Sequence, residues 1–112
     1  MALSVMAVSS IANASELKLS CLIDDNPNVI SFSLNSEKTQ IIWGGDEKYE
    51  IFQITDSWVT AYRKTDHGTG VGGEVMVFNT KTKEALFSGL VHYNYPEGTN
   101  KIVSSNYRAQ CK

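Results

Sequence analysis

The parts of this chain whose residue types and spacing could do chemistry are two histidines, two cysteines, a glycine-rich run and an acidic turn. His67 and His92 are the only imidazoles, and no Cys-x-x-Cys or His-x-x-x-His spacing accompanies them, so no zinc site can be assembled from sequence neighbours. Asp66 precedes His67, but adjacent side chains do not normally face one another and do not make a base with its orienter. His67 reads as a solvated loop residue and His92 as a half-exposed strand residue. Gly68-Thr69-Gly70-Val71-Gly72-Gly73 satisfies G-x-G-x-x-G, which cradles pyrophosphate only where a helix follows. Here the strand-like run Glu74 to Asn79 follows, and the glycines read as a flexible loop over residues 64 to 73. Asp24-x-Asn26-x-Asn28 has the 1, 3, 5 spacing of a calcium loop, but Val29 stands where glycine is needed and Asn35 where the bidentate glutamate belongs. It reads as an Asn-Pro turn. No Gly-x-Ser-x-Gly elbow occurs. The expectation is a protein without catalytic residues, metal or cofactor.

Cys21 and Cys111 stand at opposite ends of the chain, one near the start of the first strand-like run and the other beside the last residue. Paired, they would close a loop spanning nearly the whole domain and stabilise it by roughly 4 to 5 kcal/mol in the chain-entropy model. A persistent bond of this kind needs an oxidising compartment, and it leaves no thiol nucleophile. Met1 to Ala14 are uncharged and apolar or small, and Ala12-Asn13-Ala14 before Ser15 has the small-x-small pattern of a signal-peptidase site. The segment is shorter than the usual ~15 to 30 residues and lacks a basic n-region, as a start assigned too far downstream would leave it. Residues 1 to 14 are therefore expected to be a signal-like segment and residues 15 to 112 a single domain, periplasmic or extracellular. The run falls below the ~20 apolar residues of a spanning helix, so no membrane span is expected. Lys18-Leu19-Ser20 before Cys21 does not resemble a lipobox, which leaves Cys21 able to pair.

With 112 residues, 42% of them hydrophobic and 20% charged, the composition is that of one ordinary globular domain. The formal net charge of −2 and the scattered lysines and arginines argue against nucleic acid as a partner, since phosphate-backbone binding needs clustered basic residues.

The elements that must position these residues are strands. Apolar residues recur with period two and are interrupted every eight to twelve residues by turn formers. Leu17, Leu19 and Cys21 alternate with Lys18 and Ser20; Ile30, Phe32 and Leu34 alternate with Ser31 and Ser33. Further runs cover 38 to 43, 48 to 54, 58 to 63, 74 to 79, 84 to 93 and 101 to 111. Gly44-Gly45 can supply the positive φ of a tight hairpin. Consecutive short strands with short links suit an antiparallel meander, and eight of them suit an up-and-down barrel whose interior is just filled by side chains or holds one small ligand. Closure also removes sheet edges and would bring the two cysteine-bearing strands together. A two-sheet sandwich is the alternative.

This layout, with a signal-like segment, a cysteine in the first strand, a meander and a cysteine at the end, resembles the small periplasmic C-type lysozyme inhibitors. The resemblance implies an eight-stranded barrel and an inhibitor-like role. The family's Ser-Gly-x-x-Tyr and post-tryptophan Lys-Gly segments have no counterpart: Trp43 is followed by Gly44-Gly45-Asp46, and Ser88-Gly89-Leu90 leads on to Val91-His92. No inhibitory residue carries over.

What remains is binding. Tyr93, Tyr95 and His92 gather near one strand end, where tyrosine can anchor a partner with little entropy loss. Trp43 and Trp58 are separate candidates. The expected function is a non-enzymatic binding module for an envelope or extracellular protein, with a carrier of a small apolar ligand as the alternative.

Overall fold

The computed structural model describes residues 16–66, 70–93 and 101–112. The signal-like segment, His67 and Tyr95 lie outside the described residues. Within them the chain forms eight strands and no helix: β1 (Leu17–Ile23), β2 (Val29–Leu34), β3 (Gln40–Trp43), β4 (Glu47–Thr55), β5 (Trp58–Asp66), β6 (Gly70–Asn79), β7 (Glu84–Tyr93) and β8 (Lys101–Cys111). Each strand pairs antiparallel with the next, and β8 returns to β1, so the sheet closes into an up-and-down barrel rather than a sandwich.

Local chemistry makes each turn. Asn35 Oδ1 accepts from the Thr39 and Gln40 N–H groups between β2 and β3, and Asn79 Oδ1 accepts from Lys81 and Thr82 between β6 and β7. Gly44 and Gly45 carry φ of +68° and +95°, the conformation expected of them in the β3–β4 hairpin. Asp56, at φ 54°, opens the two-residue turn between Thr55 and Trp58. The Asp24-to-Asn28 segment is a turn too, in which Asn26 Oδ1 accepts from Asn28 N–H at 2.9 Å.

Alternation sets the core. Phe32, Leu34, Ile41, Trp43, Tyr49, Val59, Ala61, Met76, Phe78, Ala85 and Phe87 all point inward and are buried. Phe32 packs on Phe78 with centroids 4.4 Å apart, and Phe87 sits between Trp43 at 4.7 Å and Tyr107 at 4.5 Å. Such offset and tilted pairs add to area burial. Trp43, at 4% exposure, is therefore a core residue and not a binding candidate. A register shift between Ile51 and Gln53 turns Phe52 outward against Tyr62, the centroids 5.8 Å apart.

The glycine-rich segment departs from the expected loop. β5 continues to Asp66 and β6 begins at Gly70, so Gly70, Gly72 and Gly73 are strand residues paired with β7. Glycine is required at Gly72 by close approach, because a Cβ there would lie 1.9 Å from the Leu90 carbonyl oxygen.

Candidate functional site

The strands are unequal, and the inequality builds the site. β4 pairs with β5 only as far as Glu50 opposite Tyr62, and β1 with β8 only from Ile23 opposite Ala109 to Cys21 opposite Cys111. β5 to β8 pair with one another well beyond both limits. Half of the barrel wall thus projects as a four-stranded sheet with an inner face, an outer face and two edges that no described residue pairs with.

Where the projection leaves the core, the inward positions turn polar. Arg63 follows Val59 and Ala61 in the same phase, and Glu74 precedes Met76 and Phe78. Arg63 Nη2 lies 3.5 Å from Glu47 Oε2 and 3.8 Å from Glu74 Oε1. The Tyr49 hydroxyl donates to Glu74 Oε1, and the Tyr107 hydroxyl to Oε2 at 3.5 Å. The guanidinium carbon stands 5.6 Å from the Tyr49 ring centroid, a cation–π contact, while Arg63 Nε is buried without a hydrogen-bond partner among the described residues.

These groups tune one another away from acid–base work. Burial, reinforced by the hydrogen bond to Glu74, pushes the Tyr49 phenol far above its usual range. Burial and the carboxylates of Glu74 and Glu47 raise Tyr107 to about 12. Burial opposes the Arg63 charge, but Tyr49, Glu47 and Glu74 outweigh it and its pKa rises. Phenols held protonated donate hydrogen bonds; they do not take protons from a substrate near neutral pH. Among the described residues no group of three or more His, Cys, Asp or Glu is placed to hold a metal ion, and no helix is long and apolar enough to cross a membrane.

The outer face shows the reverse mismatch. Val71 is 61% exposed, Leu90 59% and Ile102 69%, with Tyr62 and Val75 beside them. Val71, His92 and Ile102 form one cross-strand row, so His92 sits on this face between two exposed apolar residues. Tyr93 points the other way. It pairs with Gly70, and its ring occupies the space a Cβ of Gly70 would need, at 2.6 Å. The structure therefore separates His92 from Tyr93 across the sheet, and Tyr93 has a packing role in covering Gly70. Trp58 is partly exposed at the far end of β5, opposite Thr55 and Asn79.

Cys21 and Cys111 are bonded, with Cα atoms 4.0 Å apart. Reciprocal bonds between Ser20 and Lys112 flank them, so the cysteines occupy a non-hydrogen-bonded pair, where opposed side chains come closest. Beside this seam, an open groove of about 590 Å³ is lined by Val75, Val77 and Leu86 together with Asp24, Asp25 and Arg108.

Sequence reasoning missed the Arg63, Glu47, Glu74 cluster and the Val71, Leu90, Ile102 face. The signal was parity: charged residues stand in phase with the core and apolar residues out of phase with it. No family model, curated protein or solved structure matches this chain.

Proposed function

We propose that this protein is a non-catalytic binding module of the periplasm or extracellular space that captures a protein partner on the projecting sheet of β5 to β8. The observation that carries this reading is the outer face itself: Val71, Leu90 and Ile102 lie more than half exposed around His92 on the continuously paired strands β6 to β8. Exposed apolar groups clustered on an ordered face mark interaction sites. The disulfide is compatible with an oxidising compartment. The packed aromatic interior counts against a carrier of small apolar ligands, because Phe32, Phe78 and Phe87 occupy the space a ligand would take.

The resemblance to C-type lysozyme inhibitors makes lysozyme the first partner to test. Inhibition and binding are measured with the wild-type chain and with Leu90→Asp. Binding that Leu90→Asp abolishes at unchanged melting temperature supports the reading. Undiminished binding by Leu90→Asp, or a lipid retained through purification in place of any protein partner, counts against it.

A further inference from the structure

The two edges of the projecting sheet, unpaired among the described residues, are not alike. Beyond Tyr62 the β5 edge carries the exposed Lys64 and the inward-pointing Arg63, charges of the kind with which proteins block strand addition. The β8 edge has no such guard: from Ile102 to Tyr107 the sequence is Ile-Val-Ser-Ser-Asn-Tyr, and Ile102 to Asn106 are exposed. The direction of its backbone groups follows from two bonds. Arg108 O accepts from Asp24 N–H on the β1 side, while Cys111 N–H donates to Lys83 O on the β7 side. The β7–β8 register is unbroken from Glu84 opposite Gln110 to Tyr93 opposite Lys101, so Ile102, Ser104 and Asn106 aim their N–H and C=O groups at the open side.

We propose that this edge accepts an extended segment of a partner protein as an added strand, antiparallel to β8 and collinear with β1. The inference rests on the binding-module reading and names the partner's chemistry. An added strand would begin where β1 leaves the sheet, beside Asp24 and Asp25, and end opposite Lys101. Its amino end therefore meets two carboxylates, only one of which is engaged by Arg108, and its carboxyl end meets a lysine. The complementary segment carries Arg or Lys first and an acidic residue or carboxylate last, with uncharged β-branched residues between. Main-chain bonds supply the affinity of such strand addition and the side chains its specificity.

The test uses the full chain and an end-blocked, fluorescein-labelled heptapeptide, Arg-Thr-Val-Thr-Val-Val-Glu, followed by anisotropy. Saturable binding is expected, at least tenfold weaker when Arg and Glu exchange ends, and lost when the peptide amides facing β8 are N-methylated. Ser104→Pro should abolish binding while leaving the melting temperature within a few degrees, since the Ser104 N–H serves no ladder bond. N-methylation reads the same contact on the wild-type chain should that variant fail to fold. No binding to the wild-type chain, equal binding of the end-exchanged peptide, or a wild-type dimer that Ser104→Pro splits, which would assign the edge to a second copy, each overturns the proposal. Loss of partner in Leu90→Asp but not in Ser104→Pro overturns strand addition and leaves the binding-module reading standing.

Discussion

Tyr49 and Glu74 meet inside the barrel, the phenol of β4 donating to a carboxylate of β6 that also faces Arg63. The bond bridges the inner face of the intervening strand β5. It marks the level at which the apolar core ends and the projecting sheet begins. Glu74 is only 12% exposed and Arg63 26%, so their attraction is weakly screened, and each depends on the other for compensation.

Removing the cation should therefore cost more than removing the charge of one acid. Arg63→Met, which leaves Glu47 and Glu74 facing each other, is expected to lower unfolding free energy by about 2 kcal/mol. Glu74→Gln keeps one acceptor oxygen, enough for the Tyr49 hydroxyl, and puts a donor amide toward Tyr107, so it should cost about half as much. Urea denaturation at pH 7 checks both, and a larger loss in Glu74→Gln would show that the hydrogen bonds to carboxylate matter more than the ion pair.

Reduction of the Cys21–Cys111 bond should be strongly destabilising without changing the topology. The bond closes a separation of 90 residues, for which loop entropy gives about 4 kcal/mol, or a melting temperature lower by roughly 15 to 30 °C. Calorimetry of the Cys21→Ser/Cys111→Ser variant beside the oxidised protein measures it. A shift of only a few degrees would mean that β1–β8 pairing holds the seam unaided.

Stability should fall in alkali. Tyr107 titrates at about 12 when folded and near 10 when unfolded, so its contribution is complete below about pH 10 and is lost as pH rises toward 12. Tyr49, shifted in the same direction, adds to the loss. Guanidinium midpoints at pH 8 and pH 11 should differ more in the wild type than in Tyr107→Phe. Equal differences would place the alkaline transition elsewhere.

Among the strand glycines, Gly72 should be the intolerant one. Gly72→Ala drives a Cβ into the Leu90 backbone and is expected to cost at least about 3 kcal/mol. Gly89→Ala, whose nearest neighbour is the Ser105 side-chain oxygen at 3.3 Å, should be far milder. Similar melting temperatures for the two variants would contradict the close β6–β7 approach.

The eight strands, their order and the closing disulfide were legible because each rests on a local or terminal signal. Leu17, Leu19 and Cys21 alternate with polar neighbours, Asn35 and Asn79 mark turns they go on to cap, and the cysteines sit in the only two strands left to meet. The glycine run misled because glycine lacks strand propensity. Tyr93, packed over Gly70, and the backbone of Leu90, close against Gly72, make that stretch a strand, and both lie about twenty residues further along the chain.

By itself the sequence determined that the chain is all-β, that its strands follow one another as a meander, and that its two cysteines belong to the strands that close it. Only the tertiary structure decided that β5 to β8 outrun β1 to β4, that Arg63 and Glu74 share the barrel interior, and that no described strand pairs with the β8 edge from Ile102 to Tyr107. Alternation and turn chemistry act between neighbours in sequence and can be read there. Where pairing stops depends on the register and length of strands far apart in the chain, which are set when the sheet closes.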